Sequence, residues 1–352
     1  MKRYIACVMV YFFLVWNVSA ATYYVSQSTG DNSRSCVTAQ TEGTPKLTLS
    51  GSTGVVPCAT APGDIIQIDG GATEGTALVY AEALKDSTTT MASGTSSNPI
   101  TLRVKADEFA IIRPTSGAQI IALTTADWWV FDGNATDNSM HGLVLDGRSL
   151  AGGSFSTQGI SGTTVSTNNV FKRLHIRDIS NNGATAACGQ GVAGSMVDWT
   201  FDMVEVSGTH KNFNTETGLG DNKGEHGFYI GQKGGERITI KRSYIHDIGA
   251  YCLQGNDSAS GSQVADEHVF DSNRITNCHL NSTSACSGGT SGGGIVLANR
   301  QGNSRISNNF LWRGAGGSGS AISAQGTGNV AIDIYNNTIY GWDWGITVGA
   351  YT

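Results

Sequence analysis

Basic residues are scarce in this chain. Lys and Arg number 22 against 28 Asp and Glu, a formal net charge of −6; without the two charges of Lys2 and Arg3, which sit in an N-terminal leader, it is −8. Phosphate neutralisation needs clustered Lys and Arg, so DNA and RNA are excluded as partners. An acidic polymer would need a local basic groove or bound cations to override the net sign. Long apolar runs are also missing, except in MKRYIACVMVYFFLVWNVSA, residues 1–20. That run is shorter than the ~20 apolar residues of a membrane span. Lys2 and Arg3 before it, and the small residues Val18-Ser19-Ala20 after it, mark a secretory signal peptide. The chain is therefore expected to be exported, extracellular or periplasmic, with no membrane span, and residues 21–352 to form one domain.

No long stripe of period 3.6 is present, and the 47 Gly with many Ser and Thr disfavour helix. Asn-Gly and Asp-Gly turns are few between the strand-like segments, which disfavours an antiparallel sandwich. The regular Ile, Val and Phe exclude a disordered chain. There is no HExxH, no CxxC pair and no phosphate-binding loop, so zinc chemistry and nucleotide binding lack support. Gly289 to Gly293, GTSGG, fits the G-x-S-x-G pattern but lies in a Gly/Ser loop, not on a strand-to-helix turn, and a serine nucleophile is not expected.

What the chain does have is a repeated phrase. Its first apolar residue is Phe171, Phe201, Ile240, Phe270, Ile306 and Ile334, at intervals of 30, 39, 30, 36 and 28 residues. Three positions on stand Leu174, Val204, Ser243, Asn273, Asn309 and Asn337; five on stand Ile176, Val206, Ile245, Ile275, Leu311 and Ile339. A second phrase recurs between them: GFYIG from 227, GIVLA from 294, SAISA from 320 and GITVG from 345. Period-two alternation and β-branched residues make these strands. Unequal intervals fit a solenoid whose turns carry loops of different length while their strands stack in parallel, ~4.8 Å apart. Like residues then lie over like, and a column of Asn can pair its amides along the stack, with 273 over 309 and 309 over 337. Asn309 and Asn337 are expected to be buried in that ladder.

The chain resembles the secreted right-handed parallel β-helix proteins of the pectin-lyase-like superfamily. ATYYVSQSTGDN at 21–32 looks like their opening strand, PGDIIQIDGG at 62–71 like a first coil, and SGTSSNPITLRV like the step into the next. GEHGFYIG at 224–231 and ITIKRSYIHDIGAYCLQGN at 238–256 look like typical coils. The resemblance implies an all-β, right-handed parallel β-helix. It also implies a polysaccharide partner, often acidic, and, among the lyases, a Lys or Arg base frequently assisted by calcium. The paired-aspartate and RIK-type pattern of the family's pectin hydrolases and the DPHD-type pattern of its alginate epimerases are not visible here. The chain stops at Thr352, just after GITVG, without a segment that reads as a cap; either it is part of a longer protein or its last rung docks on something else.

Six cysteines remain beyond the leader and can pair in an exported protein. Cys36 and Cys58 flank one polar segment and are the expected bridge. Cys278 and Cys286 could close a small loop, and Cys188 and Cys252 have no assigned partner. Asp221 with Glu225-His226, and Asp257 with Asp266 and Glu267, lie around polar loops that are read as solvated; calcium, which takes six to eight oxygens, is their alternative.

If positions zero, three and five point inward, positions four and six share an outer face. Position four reads His175, Glu205, Tyr244, Arg274, Phe310 and Thr338; position six reads Arg177, Ser207, His246, Thr276, Trp312 and Tyr340. Aromatic rings stack on sugar faces, and Arg binds carboxylates through paired hydrogen bonds. Hydrolysis would need two carboxyls facing one bond, and this strip has only Glu205. The expected reaction is elimination at a uronic acid, with Arg274 as the cation, His246 or Lys241 as the base, and Arg177, Tyr244, Trp312 and Tyr340 holding the polymer. A non-catalytic, adhesin-like carbohydrate-binding surface is the alternative.

Overall fold

Alternation decides the local structure. In Leu174–Arg177 the side chains of Leu174 and Ile176 are fully buried while His175 and Arg177 turn outward. The same in-out order holds in Glu205–Ser207 and Tyr244–His246. A computed structural model of the protein describes residues 20–115, 119–134, 141–148, 157–179, 189–209, 226–231, 234–256, 265–278, 292–299, 301–313, 319–325 and 331–349.

Among the described residues the strands form three long parallel sheets of ten, nine and nine strands, and one two-stranded sheet. Each coil visits the three long sheets in turn. In one coil Thr239–Lys241 lies in the first sheet, Tyr244–His246 in the second and Leu253–Asn256 in the third. Successive coils stack in register: Phe171 pairs with Phe201, Phe201 with Ile240, Ile240 with Phe270, Phe270 with Ile306 and Ile306 with Ile334. The result is the right-handed parallel β-helix that the sequence leads one to expect.

The corner between first and second sheets is built from two positions of the phrase. Arg173, Met203, Arg242, Ser272, Asn308 and Asn336 take φ between +51° and +58°, the left-handed region. The next residue then points back into the coil. There the ladder forms, because a corner breaks strand pairing and leaves backbone donors to satisfy. The Ser243 N–H donates to Asn273 Oδ1 at 3.0 Å, the Asn273 N–H to Asn309 Oδ1 at 2.9 Å, and the Asn309 N–H to Asn337 Oδ1 at 3.0 Å. The side-chain amides also reach up the stack, Asn273 to Asn309 at 3.0 Å and Asn309 to Asn337 at 2.9 Å. Asn309 is buried as expected; Asn337, in the last described coil, is only half-buried.

Inside the coil, stacking continues by side chain. Phe131 lies flat on Phe171 at 4.7 Å, and Phe171 on Phe201 at 5.3 Å. Small residues open the second phrase for a steric reason: a Cβ on Gly191 would come within 2.5 Å of Val206 Cγ1, and one on Gly227 within 2.8 Å of Ile245 Cγ2. Position five of the second sheet occupies the space that a third-sheet side chain would need.

At the N-terminal end, Leu49, Val55 and Val56 are buried in the core, so the segment after the first strand covers the first coil. Cys36 and Cys58 in that segment are disulfide-bonded, as expected. Cys278 is bonded to Cys252, in place of the Cys278–Cys286 loop that the spacing left open. The reason is topological: Cys278 follows second-sheet strand Arg274–Thr276 and Cys252 precedes third-sheet strand Leu253–Asn256 one coil earlier, which brings their Cα atoms to 5.4 Å. Cys188 and Cys286 lie outside the described residues.

Candidate active site

The outer face of the second sheet carries the columns read from the sequence. The register runs His175–Glu205–Tyr244–Arg274–Phe310–Thr338 in one and Arg177–Ser207–His246–Thr276–Trp312–Tyr340 in the other. Because the columns are adjacent, long side chains also meet on the diagonal.

Glu205 is the centre. Its Oε1 is 3.0 Å from His246 Nε2 and 3.5 Å from His175 Nε2, and its Oε2 is 3.1 Å from His141 Nε2. His246 is held on its other side too, with Nδ1 2.8 Å from Asp247 Oδ2. His175 Nε2 also meets Ser207 Oγ at 2.7 Å. Burial opposes ionisation of Glu205, but the His246 hydrogen bond and the charges of His175, His141 and His246 outweigh it and hold the carboxyl at about 2. Burial likewise works against a charge on His246, yet its hydrogen bonds to Glu205 and Asp247 raise it above the ordinary imidazole value. In His175 burial wins and lowers the ring to about 4; in His141 it also wins, in the same direction.

From His246 the array runs on through aromatic contact. The Tyr244 ring stacks on the imidazole with centroids 4.0 Å apart, and the Arg274 guanidinium lies 4.6 Å from the centre of the Tyr244 ring. Trp312 and Tyr340, paired on neighbouring rungs, are 37% and 68% exposed and free to meet a flat ligand. The structure thus brings His246, Tyr244 and Arg274 together, with Trp312 and Tyr340 further along.

Two expected members stand apart. Lys241 belongs to the first sheet, on the far side of the Arg242 corner from His246. It fits an alternating charge ladder there: Asp132, Lys172, Asp202, Lys241 and Asp271 lie in register on successive rungs, with the Lys241 ammonium 3.7 Å from Asp202. Arg177 is on the strip but engaged, ion-paired to Glu74 and 3.3 Å from Asp146. Asp146 is buried and also takes Arg113 and Arg148, each at 2.6 Å. Burial opposes its charge, but these bonds prevail and hold it at about 2.

His141 escapes the sequence reading because it lies before Leu143–Asp146, a coil whose phrase carries no recognised anchor. His226, read with a polar loop, is instead a buried residue of third-sheet strand His226–Ile230, with Nε2 2.5 Å from Gln254 Oε1. The third sheet also bears a shallow groove of ≈ 440 Å³ lined by Lys85, Gln119, Gln158, Ser161 and Thr163 among others. Gln158 donates to Gln190 across two rungs there, at 3.1 Å. Ser291, Asp221, Glu225 and Asp257 lie outside the described residues. Among the described residues no three His, Cys, Asp or Glu side chains are arranged to hold a metal ion. The strip's carboxylates face imidazoles and guanidiniums and do not supply the oxygens that calcium takes.

No protein-family model matches the sequence, and neither does any curated protein. Solved structures do. A GH136 lacto-N-biosidase from Eubacterium ramulus superposes with a TM-score of 0.62 at 13% identity, over 91% of this chain and 56% of its own. The pectate lyase Pel9A gives 0.58 at 16% identity, over 96% of this chain and 80% of its own. An alginate lyase from Paenibacillus sp. gives 0.51 at 16% identity, over 82% of this chain and 92% of its own. The chain therefore spans little more than half the length of the lacto-N-biosidase. What these likenesses establish is the fold: a right-handed parallel β-helix.

Proposed function

We propose that this β-helix acts on a polysaccharide laid along the outer face of its second sheet, and that it cleaves a uronic-acid-containing chain there by β-elimination. One observation carries the reading: Arg274, Tyr244, His246 and Glu205 form a continuous array beside exposed Trp312 and Tyr340. Elimination needs positive charge where the carboxylate gathers electrons, and acid–base groups beside the scissile bond. Arg274 and His246 supply the charge. Trp312 and Tyr340 supply flat apolar surface for sugar rings. That a lacto-N-biosidase, a pectate lyase and an alginate lyase share the fold makes a carbohydrate polymer the natural class of ligand, although fold alone does not choose the reaction. Export of the chain, which two disulfides suit, would place it where such polymers are met.

A carbohydrate-binding surface without turnover is the second reading, and one fact favours it. Both nitrogens of His246 already face carboxylates, so the expected base has no lone pair to offer. Lys241, the alternative base, belongs to another sheet.

The test is ultraviolet absorbance of unsaturated products on a panel of uronic-acid polymers, with and without calcium, beside affinity electrophoresis on the same polymers. The lyase reading expects absorbance to grow, His246→Ala and Arg274→Ala to abolish it while binding survives, and Trp312→Ala to weaken binding. Binding without any product would establish the second reading.

A further inference from the structure

The three imidazoles around Glu205 do not occupy equivalent places. His246 has a carboxylate oxygen at each ring nitrogen, Glu205 at 3.0 Å and Asp247 at 2.8 Å. A ring with an acceptor on both sides satisfies both only as the doubly protonated cation. His141 shares Glu205 through Oε2, but its Nδ1 is buried without a hydrogen-bond partner, so a second proton would be stranded there. His175 meets a serine hydroxyl first and Glu205 only at 3.5 Å, through the same Oε1 that His246 uses. The other charges acting on these rings are Arg177 and Glu74 on His175, and Glu74 on His141. One carboxylate cannot keep three rings charged.

We propose that Glu205 is a positioning residue that sorts the imidazoles, holding His246 as the proton donor and leaving His175 as the neutral proton acceptor. This rests on the elimination reading of the same face and assigns the acid and base that the reading lacks. The two Nε2 atoms lie 3.0 and 3.5 Å from one oxygen, hence no more than 6.5 Å apart (3.0 plus 3.5), a gap that a C4–C5 unit of a sugar can bridge. The C5–H bond breaks toward His175 Nε2, whose lone pair the Ser207 hydroxyl gives up as substrate enters, and the bond's electron pair becomes the C4=C5 double bond. The C4–O4 bond breaks, and the leaving oxygen takes the proton of His246, which exchanges its bond to Glu205 for one to substrate. One proton leaves the polymer and one joins it, so no further reactant is consumed. Glu205 Oε1, 3.0 Å from one ring and 3.5 Å from the other, offers the route by which the proton on His175 returns to His246. Burial pushes His175 and His141 down while the two carboxylates pull His246 up, the direction the division requires.

Histidine NMR titration without any substrate tests the sorting. In the parent, one ring of the cluster should titrate above the free-imidazole value of ~6.5 and two below it. His246→Gln should remove the high midpoint. Glu205→Gln, which keeps shape and loses charge, should lower that midpoint by about one unit or more, and Glu205→Asp should restore part of the shift. The inference is overturned if the three rings titrate alike, or if Glu205→Gln leaves the high midpoint in place. Should Glu205→Gln fail to fold, the His246→Gln spectrum alone decides whether the high midpoint belongs to that ring. Product absorbance is read separately. If the sorting is present and no uronic polymer is cleaved, the elimination reading and the acid–base roles fall together. If polymers are cleaved and the pH profile of turnover is the same in Glu205→Gln, the sorting is overturned while elimination stands.

Discussion

A single histidine away from the strip shows how strongly position in the coil governs chemistry. His268 is wholly buried beside the first-sheet strand Val269–Asp271, and its Nδ1 accepts the Ile238 N–H at 3.3 Å. A proton on Nδ1 would set two donors face to face, and burial lowers the ring to about 4. The sign follows from proton counting. Between about pH 4 and 6.5 the unfolded chain holds a proton that the folded one refuses, so stability falls as pH drops through that window. Above about 6.5 neither state is protonated and the effect vanishes. The full shift corresponds to at most about 3 kcal/mol. Thermal unfolding of the parent should therefore weaken from pH 7 to pH 4.5, and His268→Gln, which cannot titrate, should weaken less. Parallel pH curves for the two proteins would show that His268 is not the sensor.

At the scale of elements, the phrase was legible because stacking makes it repeat. Positions zero, three and five each meet their own kind one rung away, so a repeat of sequence is a repeat of environment, and the Asn column, the corner and the outer strip all follow. The contact of His175 with Glu205 was readable for the same reason, both being position four. His246 reaches Glu205 on a diagonal and His141 comes from a coil without the phrase, and no periodicity reports either. Lys241 misled for the opposite reason: it is close to His246 in sequence, yet the left-handed residue Arg242 sends the two to different sheets. The Cys252–Cys278 bond joins elements of neighbouring coils, which spacing along the chain cannot reveal. The ladder gives the sharpest test at this scale. Asn337 is half-buried, but it accepts both the backbone and side-chain N–H groups of buried Asn309. Asn337→Leu should thus destabilise by roughly 1–3 kcal/mol, the cost of leaving buried donors unpaired. Tyr335→Leu, on the exposed outer face of the same coil, should cost far less. Equal melting temperatures for Asn337→Leu and the parent would remove the ladder from the account of stability.

At the scale of the molecule, a solenoid turns a set of rungs into a ruler. The histidine–carboxylate cluster lies at the rung of Glu205, and the exposed rings of Trp312 and Tyr340 lie three and four rungs further along the same sheet. Four rung spacings of ~4.8 Å make roughly 19 Å, the length of a short oligosaccharide. A polymer lying parallel to the axis would meet the cluster and the rings together, whereas one crossing the sheet would meet a single rung. The two orientations differ in how affinity depends on ligand length. Along the axis, each added sugar should strengthen binding until the oligomer spans from Glu205 to Tyr340, after which affinity should level off. Trp312→Ala should then weaken long oligomers and leave short ones, held at the cluster, nearly unchanged. Measured by calorimetry over a graded series of uronic oligosaccharides, a rise followed by a plateau supports the axial path. Affinity that ignores length, or a Trp312→Ala loss equal for the shortest and longest ligands, would mean that the chain crosses the sheet and that the rings and the cluster serve different ligands.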